Sequence, residues 1–475
     1  MKINIKKRAD KTELLAILLA EEDIKHLKYD SLNKFIDNLI KKGDFKGEKD
    51  QLALTYTSTD TKRILLVGLG KKEEITNESY RRAYSLAVQN AKSLRVKDFS
   101  VFAERPREAV EGILLGNYSF DKYKTDEKSK FKISELNLIS EKNISSIVKK
   151  HEIICNNVNY VRNLVNDSTH TINPLTLVAE AKKLSNLNVK VKILDENQLK
   201  KLGLNLLLAV SQGSNYPPRL VILEYSGNLN SKDLTVLVGK GICFDSGGLN
   251  LKLTGYMETM RGDMAGAASV LGTIKTLAEL KIKKNVIGVM PLCENMVDGK
   301  AYKPGDVYKS YSGKTVEIAN TDAEGRLILG DALGYAAKEY KPTRIIDLAT
   351  LTGAVLYALG DICAGAMGNS DEFYSKLEEA SKKTGERIWK LPMFPDYDNE
   401  IKSDIADIKN TGTSGAGKYA GPITGAVFLK QFVNDINWIH LDIAGTAWME
   451  KQRYYNPKMA TGYGLRLLVQ FFEDL

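Results

Sequence analysis

Cysteine and histidine are scarce in this chain of 475 residues, which contains four histidines and four cysteines. The cysteines are Cys155, Cys243, Cys293 and Cys363, and the histidines are His26, His151, His170 and His440. No two cysteines form a Cys-x-x-Cys pair, so neither a zinc ribbon nor a disulfide framework is indicated, and we expect all four as small buried hydrophobic residues. The histidines also form no ligand pair. Oxygen atoms would therefore have to supply most ligands of any catalytic metal.

Long apolar segments are also missing, since no run approaches the roughly 20 residues that span a bilayer. The N-terminus carries Lys2, Lys6, Lys7 and Arg8 and lacks the apolar core of a signal peptide. We therefore expect a cytoplasmic protein without membrane association. Hydrophobic residues make up 43% of the chain and charged residues 27%, as in globular proteins. The length exceeds one ordinary core, so we expect two domains.

The formal net charge is +9, which has two interpretations. It could attract nucleic acid, or it could be a solvated surface rich in lysine. Lysines are spread through the sequence, and they are not interleaved with aromatic residues as in proteins that bind single strands. We favour the solvated surface, and nucleic-acid binding stays open as the alternative.

Strand-like and helix-like segments alternate along the chain, which predicts an α/β fold with a largely parallel central sheet. Their periodicity predicts strands over 64–67, 99–102, 219–225, 234–238, 285–290, 345–348 and 438–442, and helices over 81–94, 147–165 and 265–280. Residues 122–132 are expected to form a loop, and Pro174 suits the first turn of a helix. We place an N-terminal domain over 1–150, a linker helix region over 151–170 and a second domain over 171–475.

The segment Asn-Thr-Asp-Ala-Glu-Gly-Arg at 320–326 lies between strand-like residues 314–319 and a helical pattern that begins at Leu327. A loop between a strand and a helix is where α/β enzymes commonly keep their catalytic residues. Asp322 and Glu324 can converge there only if a positive charge offsets their repulsion, which suggests a metal. In isolation, the same segment is more often a polar turn at the start of a helix.

Further charged residues lie at similar junctions of the second domain. Lys240 and Asp245 follow the predicted strand over 234–238 on a glycine-rich segment, where the backbone permits close approach. Lys252 comes next, and Asp263 precedes the alanine-rich helix predicted over 265–280. Each acid alone is more readily structural, but four acids and two lysines at or near strand–helix junctions of one domain favour a functional site.

Four segments carry a resemblance to a known family. VGKGICFDSGG (238–248), MRGDMAGAA (260–268), NTDAEGRL (320–327) and DLATLTGA (347–354) resemble, in this order and spacing, the cytosolic leucyl aminopeptidase family. The resemblance covers about residues 150–475 well and the N-terminal part loosely. It implies a smaller N-terminal α/β domain of the macro-like type. It also implies a larger catalytic metallopeptidase domain with a mixed, mostly parallel sheet flanked by helices.

The resemblance further implies two divalent metal ions per subunit, manganese or zinc. The implied ligands are Lys240, Asp245, Asp263, Asp322 and Glu324, with Asp245 and Glu324 bridging the two ions. Lys252 corresponds to the catalytic lysine that polarises the scissile carbonyl. Arg326 corresponds to the residue that holds a bicarbonate ion, which acts as general base.

The implied reaction is the release of N-terminal amino acids from peptides, through a water that the two ions share and activate. The implied walls of the pocket for the first side chain are Met260, Thr350, Gly353 and Ala460. We expect a preference for leucine and other apolar residues, with broad specificity because a methylene changes binding by only about 1–3 kcal/mol. The resemblance also implies a homohexamer. A DNA-binding role on the same scaffold is the alternative, and the intact ligand set argues against an inactive relative.

Overall fold

The computed structural model describes residues 1–9, 11–29 and 32–475, which form two compact units. One unit comprises Met1–Asn159 and Lys451–Lys458, and the other comprises Tyr160–Glu450 and Met459–Leu475. The division falls within one long helix, Ser145–Asn166. Among the helices of the described residues, none has the length and apolar character that crossing a membrane requires.

The N-terminal unit is built around a six-stranded sheet. Its strands are β1 (Lys2–Lys6), β2 (Leu15–Leu19), β3 (Leu52–Tyr56), β4 (Arg63–Gly68), β5 (Asp98–Phe102) and β6 (Glu135–Ile139). Its helices are α1 (Asn33–Lys41), α2 (Asn77–Ser93), α3 (Pro106–Gly116) and the part of α4 (Ser145–Asn166) that ends at Asn159. The strand order is β1-β6-β5-β2-β4-β3, and only the β3–β4 pair is antiparallel.

Strand β2 shows why this sheet is covered on both faces. All five of its residues are apolar and buried. Ala16 and Leu18 belong to one hydrophobic cluster, whereas Leu15, Ile17 and Leu19 belong to another. Alternate residues of a strand point to opposite faces, so the two clusters pack on opposite sides of the sheet.

The larger unit contains a nine-stranded sheet and two small ones. Its strands are β7 (Lys190–Leu194), β8 (Arg219–Ser226), β9 (Leu234–Gly239), β10 (Gly241–Asp245), β11 (Asn285–Asn295), β12 (Val307–Lys309), β13 (Thr315–Glu317), β14 (Arg344–Ala349), β15 (Ala364–Gly368), β16 (Ile388–Lys390), β17 (Ile408–Lys409), β18 (Asn437–Asp442), β19 (Trp448–Met449) and β20 (Met459–Ala460). Its helices are α5 (Pro174–Lys182), α6 (Glu196–Leu202), α7 (Asn205–Ser211), α8 (Ala265–Leu280), α9 (Gly325–Tyr340), α10 (Ala354–Leu359), α11 (Asp371–Thr384), α12 (Gly421–Lys430) and α13 (Leu465–Asp474).

The large sheet has the order β16-β15-β18-β14-β9-β11-β8-β7, with β10 also paired to β11. Its centre, β18-β14-β9-β11, is parallel, and β10 is parallel to β11. Antiparallel pairs join β15 to β18, β8 to β11 and β7 to β8. The predicted α/β fold, with two domains and a mixed, mostly parallel sheet, is confirmed.

The parallel centre gathers polar residues at one edge of the sheet. Lys240 directly follows β9, and Thr350 directly follows β14. Asp245, Asn295 and Asp442 are the last residues of β10, β11 and β18. The carboxyl ends of parallel strands meet at one edge, which is the usual place for a site in an open α/β sheet.

Several local predictions can be compared with these elements. The helix predicted over 147–165 is observed as α4, and Pro174 is the first residue of α5, where Asn173 caps the helix. Strand β11 runs five residues beyond the predicted end, because Pro291 and Glu294 interrupt the apolar pattern. The predicted loop over 122–132 contains a short 3-10 helix, Glu127–Lys130. The cysteines are free, but Cys363 is only half-buried, so the prediction of burial is wrong for that residue.

Candidate metal centre

The side-chain amide of Asn410 holds the 320–326 segment in its loop conformation. The Asn410 side-chain oxygen accepts the N–H groups of Ala319 and Asn320 at 2.8 and 3.2 Å. Its amide nitrogen donates to the carbonyls of Asn320 and Ala323 at 2.6 and 3.2 Å. One amide thus satisfies four backbone groups that regular structure would otherwise pair. Glu324 then stands at the start of α9.

Thr321 joins this loop to the glycine-rich segment after β10. Its hydroxyl donates to the carbonyl of Gly247 at 2.7 Å and accepts the N–H of Asn250 at 2.8 Å. Its carbonyl accepts the Tyr302 hydroxyl at 2.7 Å and the Asn295 amide at 3.0 Å. These bonds fix the two acidic segments to each other. No local sequence pattern indicates this role, because the bonding partners of Thr321 lie 19 to 74 positions away in the chain.

Three carboxylates converge as a result. Asp245, Asp322 and Glu324 each offer an oxygen, and these oxygens lie within 4.8 Å of one another. The Lys252 ammonium lies 2.8 Å from Asp245 Oδ2 and 2.5 Å from Asp322 Oδ1. A cation therefore already stands between two of the acids, as their mutual repulsion requires.

A second lysine ties a fourth acid to the group. Lys240 Nζ lies 2.8 Å from Asp263 Oδ1 and 2.9 Å from Glu324 Oε1. It also donates to the carbonyl of Thr350 at 2.8 Å. The Thr350 hydroxyl donates to Asp263 Oδ1 at 2.7 Å. Asp263 is presented by the 3-10 helix Met260–Met264, immediately before α8.

Two oxygen atoms in this cluster identify it as a place for a cation. In the part of the chain that the structure describes, Asp263 Oδ2 and Glu324 Oε2 are buried and accept no hydrogen bond. Leaving a buried carboxylate oxygen unpaired costs several kcal/mol, roughly, unless a cation meets it. Carboxylate oxygens suit divalent ions such as Mn²⁺ and are also ligands of Zn²⁺. The donor set therefore fits a divalent metal.

The pKa values of the acids show the same shortage of positive charge. Burial, and then the charge of Asp245, raise the pKa of Glu324 to about 8. Burial raises the pKa of Asp263 to about 6 even though Lys240 opposes the shift. Burial alone would lower the pKa of Lys240, but Asp263 and Glu324 outweigh it and the pKa is raised. The charges of Asp245 and Glu324 likewise outweigh burial and raise the pKa of Lys252, so both lysines are held as cations and the acids still favour protons or a metal.

Arg326 stands apart from these ion pairs. It is buried, and within the described ranges its Nε has no hydrogen-bond partner. A methyl group at Gly425 would lie 3.5 Å from Arg326 Nη2 and 2.9 Å from Leu351 Cδ2, so both side chains pack closely against α12. Burial lowers the pKa of Arg326 to about 10, which leaves it charged at neutral pH. A buried cation with an unused donor fits a small anion.

The four residues implied as pocket walls differ in exposure. Met260 shares its 3-10 helix with Asp263, and Thr350 contacts the cluster directly. Both are half-buried, and Gly353 is exposed. Ala460 has 0% exposure and donates its N–H to Asn166 Oδ1 at 2.9 Å. Ala460 therefore offers no surface to a ligand in this conformation.

A substitution at Gly325 tests whether metal binding depends on the position of the Lys240 side chain. A Cβ at Gly325 would lie 2.5 Å from Lys240 Cε, and Lys240 is fixed by three partners. We expect Gly325→Ala to weaken Mn²⁺ binding by roughly 10–100-fold, as loss of a supporting contact does elsewhere. Gly334→Ala in the same helix is the control, because its Cβ would meet nothing closer than 3.5 Å. Equal Mn²⁺ affinity of the two variants in calorimetric titration would contradict the expectation.

The chain is similar to one family over most of its length. Residues 159–469 match the model of the "Cytosol aminopeptidase family, catalytic domain", and residues 18–127 match that of the "Cytosol aminopeptidase family, N-terminal domain". The "Probable cytosol aminopeptidase" of Geobacter sp. (strain M21) is 44% identical, over 93% of this chain and 92% of that protein. That of Clostridium perfringens (strain 13 / Type A) is 42% identical, over 98% of this chain and 97% of that protein.

Solved structures agree with these relatives. A mutant of tomato leucine aminopeptidase has a TM-score of 0.87 and 34% identity, covering 99% of this chain and 96% of its own. The bottromycin maturation enzyme BotP, in complex with Mn, has a TM-score of 0.86 and 28% identity, covering 97% of this chain and 99% of its own. With both domains matched and a carboxylate cluster that fits a metal, this chain belongs to the cytosol aminopeptidase family and is an aminopeptidase.

Proposed function

We propose that this aminopeptidase releases N-terminal amino acids, leucine and other apolar residues preferred, with two divalent metal ions. The observation that supports it most is the pair of unpartnered, buried oxygens, Asp263 Oδ2 and Glu324 Oε2, within a cluster of acids and lysines. The proposed ligands are Lys240, Asp245, Asp263, Asp322 and Glu324, with Asp245 and Glu324 shared by both ions. When bound, manganese or zinc ions would polarise the scissile carbonyl and lower the pKa of a water toward neutrality.

Lys252 is the proposed electrophilic residue. Its ammonium group is paired with Asp245 and Asp322, and the charges of these acids keep its pKa raised even though burial opposes the shift. The lysine is therefore a fixed cation at neutral pH. It would stabilise negative charge that develops on the carbonyl oxygen of the substrate.

Arg326 is the proposed holder of the general base. A guanidinium has only N–H donors and cannot itself take up a proton at neutral pH, so Arg326 would act by holding an anionic base and not as the base itself. The unused Nε donor of this buried arginine supports bicarbonate as that anion. Held there by Arg326, bicarbonate would supply general-base chemistry beside the cluster.

The proposed substrate preference follows from the residues that would line the pocket for the first side chain. We assign Met260, Thr350 and Gly353 as walls for the first side chain, and Ala460 as a residue that shapes the pocket through its neighbours because it is fully buried. Apolar walls bind leucine-like side chains without strong discrimination between similar sizes. A free amine at the N-terminus would be required as a metal ligand, which makes the enzyme an exopeptidase.

The test compares leucine amide with N-acetyl-leucine amide. We expect hydrolysis of the first and none of the second, and loss of activity after treatment with a chelator. Hydrolysis of the acetylated substrate at a similar rate would contradict exopeptidase action. Activity that persists after all metal is removed would contradict the metal mechanism.

Metal binding should depend on pH, because the ligands carry protons in the metal-free protein. Glu324 and Asp263, with pKa values raised by burial to about 8 and about 6, must ionise to bind an ion, and Lys240 must lose its proton. We expect Mn²⁺ affinity to rise between pH 6 and 8 by about tenfold per pH unit for each proton released. Calorimetry in two buffers of different ionisation enthalpy counts these protons. Binding without proton release would contradict the proposed ligand set.

Assembly, location and a second function remain proposals. The family resemblance supports a homohexamer in the cytoplasm. Nucleic-acid binding rests on the net charge of +9 alone. If it occurs, binding to duplex DNA should fall steeply with added salt and be unchanged by Glu324→Gln. Absence of binding at low salt would exclude it.

A further inference from the structure

Asp442, the last residue of β18, is a fully buried carboxylate outside the proposed ligand set. Its Oδ1 accepts the N–H groups of Leu351, Thr352 and Ala444 at 3.1, 3.5 and 3.2 Å. Its Oδ2 accepts the hydroxyl of Thr352 at 2.6 Å. Three of these four hydrogen bonds therefore hold the segment 350–353.

This segment connects β14 to α10 and touches the site on two sides. The Thr350 hydroxyl donates a hydrogen bond to Asp263, and the Thr350 carbonyl accepts one from the Lys240 ammonium group. A Cβ at Gly425, in α12, would lie within 4 Å of the side chains of Leu351 and Arg326, so these two side chains pack against the same place on that helix. A shift of the segment would therefore disturb two proposed ligands and the arginine together.

The irregular backbone of the segment needs an external acceptor. The sheet fixes its start, where Ile443 donates its N–H to the carbonyl of Ala349 at 2.8 Å. Beyond that point the N–H groups of Leu351 and Thr352 turn to the side-chain carboxylate of Asp442 rather than to the backbone of a neighbouring strand. A buried carboxylate that accepts several N–H groups gives charge-assisted hydrogen bonds, which are the stronger kind.

We propose that Asp442 is a positioning residue of the metal centre, which keeps Thr350 on Lys240 and Asp263 and keeps Leu351 beside Arg326. The inference rests on the proposed function, because it assigns to Asp442 the support of ligands proposed there. Asp442 makes no contact with substrate in this role. It acts through the 350–353 segment.

The proposal predicts separate effects for two substitutions. Asp442→Ala leaves buried donors without an acceptor, and we expect kcat for leucine amide and Mn²⁺ affinity each to fall roughly 10–100-fold. The KM measured at saturating Mn²⁺ should change little. Asp442→Asn keeps the shape and one carbonyl oxygen, and the Thr352 hydroxyl can accept from its amide. The asparagine variant should therefore recover most of both losses.

Asp331 offers a matched control. It is equally buried, and its carboxylate accepts the N–H groups of Leu206, Leu207 and Tyr311 at 2.8, 3.1 and 2.8 Å. These partners lie outside the proposed ligand set and the 350–353 segment. Asp331→Ala should lower the melting temperature as Asp442→Ala does, while the folded enzyme keeps its kcat and its Mn²⁺ affinity.

Three results would overturn the inference: wild-type kcat and Mn²⁺ affinity in Asp442→Ala, equal losses in Asp331→Ala, or no recovery in Asp442→Asn. If Asp442→Ala does not fold, Thr352→Val and Thr352→Ser replace it. The valine variant should lose activity and Mn²⁺ affinity, and the serine variant should retain them. Equal behaviour of these two variants would also overturn the inference. An inactive wild-type protein would instead refute the proposed function, which separates the two failures.

Discussion

Glu324→Gln is expected to lower kcat/KM for leucine amide by at least about 10³-fold, or roughly 4 kcal/mol of transition-state stabilisation. Glutamine has the shape of glutamate but lacks its charge and replaces one acceptor oxygen with a donor. In the native site, one oxygen lies 2.9 Å from Lys240 and the other is unpartnered among the described residues. The substitution would place an N–H group where the proposed metal binds and would remove a proposed ligand.

The measurement is steady-state hydrolysis with excess Mn²⁺, together with the metal content of the purified variant. Glu317→Gln is the control, because Glu317 lies in the preceding strand β13 and accepts the hydroxyl of Ser403 at 2.5 Å. It should keep nearly all activity. A Glu324→Gln enzyme with more than about a tenth of wild-type activity would contradict the assignment, since a tenfold loss is only about 1.4 kcal/mol.

Lys252→Met is expected to lower kcat by roughly 10²–10³-fold, as removal of an oxyanion-stabilising donor does. Methionine keeps much of the apolar stem and removes the ammonium group that lies between Asp245 and Asp322. The effect should appear in kcat more than in KM, because the negative charge that Lys252 is proposed to stabilise develops in the transition state. Lys252→Arg should recover little, since a planar guanidinium differs in shape from an ammonium group.

The metal content of the Lys252→Met variant separates a role in stabilising charge on the substrate from a role in holding the metal. The Lys252→Met variant should bind Mn²⁺ at least as tightly as wild type, because the ammonium group competes with metal for the carboxylates of Asp245 and Asp322. Lys303→Met is the control, because Lys303 is largely exposed and pairs with Asp306 at 3.4 Å. Unchanged kcat in Lys252→Met would refute the electrophilic role, and loss of bound metal would point to a supporting role in ligation.

The charged residues of the candidate site could be predicted from the sequence because they lie in short motifs at strand–helix junctions. The structure brings six of them into contact, through Lys240 on Asp263 and Glu324 and through Lys252 on Asp245 and Asp322. The residues that hold the motifs in place could not be found in the same way. They act on backbone groups far away in the chain, and local patterns do not report such pairs.

Asn410, Tyr302 and Asp442 are examples. Asn410 bonds to backbone groups of the 320–326 loop that lie up to 90 positions away, and Asp442 bonds to Leu351 over a separation of 91. The fold, too, could be predicted from local patterns only in part. Periodicity revealed an α/β protein, but the order of the strands depends on long-range pairing. Two- and three-residue strands such as β12 and β17 are too short to show a period.

The most direct test of the metal centre is a titration of chelator-treated enzyme with Mn²⁺, following leucine amide hydrolysis and bound metal together. The proposed ligand set predicts no activity without metal and a rise to full activity as two ions bind per chain. In Glu324→Gln, the same titration should give almost no activity at any Mn²⁺ concentration. Full activity of metal-free wild type, or of Glu324→Gln, would contradict the account.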